Sequence, residues 1–134
     1  LRLASGAIRR GETLLIFPEG TRSRDGIMSD FKPAIGWLSL HERVDVLPMW
    51  LGGTHDALPV GSRLPKARKL EVRIGDPVDF RKMLKRTEGM SRSAAYRFVT
   101  REVERRVRAL AGLPPLPEPE DPQAPESREE QPHR

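Results

Sequence analysis

Thr13-Leu14-Leu15-Ile16-Phe17-Pro18-Glu19-Gly20-Thr21-Arg22-Ser23 is the stretch on which the reading of this chain turns. Its first five residues form an apolar run, the pattern of a buried strand. Pro18 has no N–H for a sheet ladder and stops the strand, and Gly20 frees the backbone for a tight loop. The loop then presents a carboxylate, two hydroxyls and a guanidinium just past the strand's C-terminal end. In open parallel α/β sheets that end is where ligands sit. The planar fork of donors on Arg22 suits a phosphate. Thr21, Ser23 and the Gly20 N–H can donate to phosphate oxygens. Glu19, itself anionic, is suited instead to orienting Arg22 or accepting from a hydroxyl. The plainer reading of Arg22 is a loop arginine paired with Glu19 or Asp25. Lys32 reads first as an exposed lysine that could add charge.

Outward from this stretch the pattern alternates. Residues 1–10 read as the last turns of a helix, with Leu1, Ala4 and Ile8 on one face and Arg9-Arg10-Gly11 ending it. Residues 34–40 read as a short helix starting near Pro33. A second strand is expected over 44–51, and the crossover is long enough for a right-handed parallel βαβ unit. Residues 52–67 have the Gly/Pro content of a long surface loop. Residues 70–74 alternate apolar and charged side chains, as a half-buried or edge strand does. A helical turn is expected over 79–85, and Ser91 or Ser93 can cap a final helix running to about Ala111. Its stripe of Tyr96, Val99, Val103, Val107 and Leu110 has helical spacing. Such a helix can lie on a membrane or pack on a sheet. Valine is a poor interfacial anchor, so packing is expected. Trp37 and Trp50 are likewise expected in the core, His41 at a helix end and His55 in a polar loop. The fold class is therefore α/β, a mostly parallel sheet with flanking helices over residues 1–112.

Composition narrows the functions open to such a domain. The 134 residues include no cysteine, which excludes a disulfide framework and thiolate chemistry. No run approaches the length of a membrane span. Residues 1–112 hold 22 basic and 13 acidic residues, net +9, so an anionic partner is expected. Residues 113–134 hold seven prolines and a net charge of −4. That segment cannot bury enough surface to offset chain ordering, and a disordered tail is expected.

Residues 17–23 resemble the third sequence block of the glycerophospholipid acyltransferases, the family containing 1-acylglycerol-3-phosphate acyltransferase. The likeness continues in order through Arg24-Asp25-Gly26, Asp30-Phe31-Lys32-Pro33, Val46-Leu47-Pro48-Met49, Gly52-Gly53-Thr54, Leu58-Pro59 and Ile74-Gly75-Asp76-Pro77. It spans about residues 5–110. The resemblance implies a phosphate-gripping block at Glu19, Gly20, Thr21, Arg22 and Ser23, and an acyl-side block at Val46, Leu47 and Pro48. It implies transfer of a fatty acyl group from acyl-CoA or acyl carrier protein to a glycerol phosphate or lysophosphatidate hydroxyl, with no metal or other cofactor.

The family's catalytic pair is a His followed five positions later by an Asp. Here the histidines are His41, His55 and His133, and the positions five beyond the first two hold Val46 and Val60. No residue of the chain matches that pair, so no catalytic residue is assigned. Residue 1 is Leu, and the chain reads as the C-terminal part of such an enzyme. Its place is expected at the cytoplasmic face of a membrane. The alternative from another class is a non-catalytic basic module for anionic lipid headgroups or nucleic acid. Sparse aromatics and the lack of a nucleic-acid motif argue against nucleic acid.

Overall fold

The computed structural model describes residues 1–117. The element order is α1 (Arg2–Arg9), α2 (Ala34–Glu42), β1 (Met49–Gly52), α3 (Thr54–Ala57), β2 (Glu71–Ile74), α4 (Phe80–Arg86) and α5 (Arg92–Leu110). The helices fall where side-chain periodicity and capping chemistry put them. Pro33 precedes the first residue of α2. Asp79 caps α4 by accepting from the N–H groups of Arg81 and Lys82. Of the two candidate serines, Ser91 caps α5, accepting from Ala94 N–H at 3.2 Å. At its other end α5 closes in a Schellman turn. Gly112 takes φ +70°, its N–H reaches the Ala109 carbonyl, and Leu113 N–H reaches that of Arg108. Residues 113–117 form no helix or strand. The rest of the expected disordered tail, 118–134, lies outside the described residues.

The sheet differs from expectation. It has two strands, and β1 pairs with β2 antiparallel, Met49 opposite Ile74 and Gly52 opposite Glu71. No parallel pairing occurs among the described residues. Residues 13–17 run without helix or ladder, and Leu15 and Phe17 stay 67% and 60% exposed. Apolar character and Pro18 dictate where this segment can extend and where it stops. They say nothing of its partner, because pairing depends on residues far away in the chain. The expected strand over 44–51 is also shorter. Val46 makes one isolated bridge to Val78, and regular pairing resumes only at Met49. Three residue steps on the β1 side oppose four on the other, so residues 75–77 contain a bulge. Pro48 has no N–H to give there, but its carbonyl accepts from Gly75 N–H at 3.0 Å.

The core sits where α5 meets α2 and the bulged strand pair. Ile35, Val78, Met83, Phe98, Val99 and Val103 form it, with Ile16 and Phe31 packed against its edge. Val107 is also buried, while Tyr96 and Leu110 are half-buried. The stripe of α5 thus faces protein, as its valines suggested. No helix among the described residues is long and apolar enough to cross a membrane.

One carboxylate joins α1 to α2, and another braces α5 from within. Glu42 at the end of α2 accepts from Ser5 and is gripped twice by Arg9 of α1. Glu102 of α5 is buried between Arg105, at 3.0 Å, and Arg106, at 2.8 Å. Burial pushes the Glu102 carboxyl up, but the hydrogen bonds and charges of the two arginines outweigh it, and its pKa lies below the usual value. A carboxyl depressed on folding stabilises the fold fully above its unfolded pKa, and the gain is lost as pH falls through the folded value. The melting temperature is therefore expected to fall as the pH drops below the ordinary glutamate pKa of about 4.3. Glu102→Gln should flatten part of that decline. Thermal melts on either side of that pH check it, and parallel pH profiles for the two proteins would remove Glu102 from the account.

Candidate substrate cleft

The motif loop is built from its backbone outward. Gly20 takes φ +71°, a conformation that L side chains rarely adopt. Its N–H donates to the Phe17 carbonyl at 3.1 Å, closing the turn after Pro18. That donor is therefore occupied, and the Gly20 contribution expected at a phosphate falls to the turn it permits. The loop is pinned shut at its base, because Lys32 N–H donates to the Pro18 carbonyl at 2.9 Å. Lys32 is exposed, and its ammonium lies over the turn, 2.9 Å from where a Cβ on Gly20 would stand.

Inside the loop the carboxylates fold inward. Glu19 accepts from Ser29 N–H at 2.7 Å. Asp25 accepts from Ile27 N–H at 3.0 Å and from the Ser23 hydroxyl at 3.1 Å. The Ile27 N–H first, then the Ser23 hydroxyl, lower the Asp25 pKa, and burial opposes them weakly. Neither acid pairs with Arg22. Instead Arg22 donates one N–H to the Leu58 carbonyl at 2.5 Å. A guanidinium has five N–H donors, so a contact with one neutral carbonyl leaves both charge and donors for a ligand. The Thr21 hydroxyl is exposed and makes only a long contact, 3.5 Å, to the Arg22 carbonyl.

The loop's exit is held from an unforeseen direction. Phe31 N–H donates to the buried Glu104 carboxylate of α5 at 3.2 Å. Arg108 bridges Glu104, at 3.1 Å, and Asp30, at 3.4 Å. The partners lie 73 and 78 positions apart in the chain, so only the fold reveals this clamp.

The two sequence blocks meet in one cleft of ≈ 1170 Å³, lined by Phe17–Glu19, Thr21–Ser23 and Val46–Pro48 among others. Leu14, Leu15, Met49 and Leu51 extend its apolar wall. Leu47 projects into it half exposed, while Pro48 is buried beneath. The result is an apolar trough whose rim carries Arg22. Trp50 also lines the trough, half-buried, with Arg73 over its ring at 4.9 Å. Trp37 stacks on His41 with ring centroids 4.4 Å apart. Neither tryptophan belongs to the core cluster, contrary to expectation. Both side chains are half-buried. His41 does end α2. His55 sits on the single turn of α3, not in a loop, and packs against Gly26. Among the described residues no group of His, Asp and Glu is arranged to hold a metal ion.

The geometry has counterparts in known proteins. Residues 2–52 match the family model described as Acyltransferase. A 1-acyl-sn-glycerol-3-phosphate acyltransferase of Cocos nucifera is 33% identical over 76 residues, 57% of this chain and 25% of the relative. The enzyme of that name from Limnanthes douglasii is 37% identical over 67 residues, 50% of this chain and 24% of the relative. The chain thus spans about a quarter of the length of these curated relatives. The crystal structure of the 1-acyl-sn-glycerophosphate (LPA) acyltransferase PlsC from Thermotoga maritima superposes with a TM-score of 0.62 at 31% identity, covering 82% of this chain and 43% of that one. Over residues 2–52 and in its fold, this chain is similar to the acyltransferase family that contains the 1-acyl-sn-glycerol-3-phosphate acyltransferases.

Proposed function

We propose that these residues form the substrate-holding part of an enzyme that transfers a fatty acyl group from a thioester to the free hydroxyl of lysophosphatidate. The observation that carries this reading is the shared cleft, an apolar trough with Arg22 at its rim, lined by both family blocks. A phosphorylated glycerol lipid has that same polarity, one dianionic end and one aliphatic end. Arg22, with Lys32 above the Gly20 turn and the Thr21 hydroxyl, holds the phosphate. The trough beside Val46, Leu47 and Pro48 takes the acyl side, with acyl-CoA or acyl carrier protein as donor. The hydroxyl's proton goes to a general base as oxygen attacks the thioester carbon and the thiol leaves. The family's His/Asp pair, which supplies that base, has no match among residues 1–134. Product and acceptor both live in a bilayer, so the site works at the cytoplasmic face of a membrane.

Titration of this chain with lysophosphatidate and with monoacylglycerol tests the reading. Lysophosphatidate is expected to bind, and monoacylglycerol, which lacks the phosphate, to bind at least tenfold more weakly. Added acyl-CoA should yield no product above a protein-free blank. Equal affinity for the two lipids would overturn the phosphate assignment. Clear turnover would overturn the assignment of the base to residues outside the chain.

A further inference from the structure

Between the cleft and β2 the chain makes a closed excursion. Lys66 N–H returns to the Ala57 carbonyl at 2.7 Å, and Ser62 N–H closes an inner turn on the Pro59 carbonyl at 3.0 Å. Residues 57–70 contain four basic residues, Arg63, Lys66, Arg68 and Lys69, and no acidic one. All four are exposed, and none forms an ion pair among the described residues. Several arginines elsewhere are neutralised by neighbours. Arg106 has Glu102, Arg108 has Glu104, Arg9 has Glu42, and Arg73 takes up Glu71 next to the excursion. The same excursion bears aliphatic side chains with no cover. Leu64 is 78% exposed and Val60 49%. At its root, Leu58 accepts the hydrogen bond from Arg22.

Uncompensated cations beside bare aliphatic side chains suit a partner with an anionic surface over an apolar interior. We infer that residues 57–70 are a membrane-contact loop, with Arg63, Lys66, Arg68 and Lys69 on anionic headgroups and Leu64 and Val60 entering the acyl layer. This rests on the reading that the site works at a membrane, and it adds where the chain touches that membrane. Contact there places the bilayer at the root of the loop, beside Arg22, so a lipid acceptor can pass to the cleft without crossing open water. An acidic protein would satisfy the charges but would not need a bare leucine beside Pro65.

Co-sedimentation with phosphatidylcholine vesicles, with and without phosphatidylglycerol, tests the inference at low and high salt. Each basic residue at an anionic surface is worth about fivefold in affinity. The quadruple variant R63Q/K66Q/R68Q/K69Q is expected to lose at least about a hundredfold on phosphatidylglycerol vesicles. Leu64→Ser should lose binding that high salt does not remove in the wild type. A control removing the same number of exposed charges from α4 and the start of α5, R81Q/K82Q/K85Q/R92Q, should lose far less. Equal losses in the two quadruple variants would replace the loop with diffuse attraction. Absence of vesicle binding by the wild-type chain would overturn the loop outright. Binding to soluble polyglutamate as tight as to vesicles, indifferent to Leu64→Ser, would make the partner an acidic protein. Lysophosphatidate titration of the loop variants keeps the questions apart, because an intact acceptor site survives failure of the loop.

Discussion

Gly36→Ala is expected to destabilise this fold by about 3 kcal/mol or more, beyond the usual cost of one extra methyl in a packed core. α2 crosses α5 at this glycine. An added Cβ would lie 2.0 Å from the Tyr96 carbonyl oxygen and 2.7 Å from the Thr100 hydroxyl. The first obstacle is backbone, so no rotamer change relieves it and the helices must separate. Separation also breaks the hydrogen bond from Gly36 N–H to Thr100 Oγ1, 3.1 Å long and buried. Alanine is the better helix former by about 1 kcal/mol, and that gain is smaller than the clash. Urea denaturation of the two proteins measures the difference. Equal or greater stability in the variant would mean that α2 and α5 do not approach this closely.

Arg22→Ala in the intact enzyme is expected to weaken acceptor binding while leaving the donor alone. A charge-assisted contact to phosphate is worth roughly 1.5–3 kcal/mol, or about 10- to 150-fold. Arg22 is exposed and its protein partner is one carbonyl, so the melting temperature should hardly move. Arg22→Lys should recover part of the affinity, since an ammonium keeps the charge and loses the fork. Steady-state kinetics with each substrate varied in turn decides the matter. A raised requirement for the thioester with an unchanged acceptor dependence would reverse the two sides of the cleft.

Local chemistry made much of this molecule readable. Pro33, Asp79, Ser91 and Gly112 stand at helix ends because each has a backbone or side-chain property that a helix interior cannot use. The α5 valines revealed their inward face through spacing alone. The sheet was not readable in this way. Residues 13–17 look like a strand and have no ladder, and the pairing of β1 with β2 depends on a bulge that no residue type announces. At the site, Arg22 was visible, but its partner was not. A main-chain carbonyl at Leu58 carries no side-chain signature, so the carboxylates in view, Glu19 and Asp25, were the natural but wrong candidates. Glu104 escaped for the opposite reason, since an acidic residue among arginines on a helix ordinarily faces water.

The Glu104 clamp has a dynamic consequence. The exit of the motif loop is hydrogen-bonded to the same helix that fills the core, and Phe31 packs against that core. The loop therefore cannot open at this end as an independent flap. Releasing it requires breaking a buried charged contact, so its fluctuations belong to the same cooperative unit as α5. A destabilising change at Val99 or Val103 is then expected to loosen the Phe31 end of the motif loop as well.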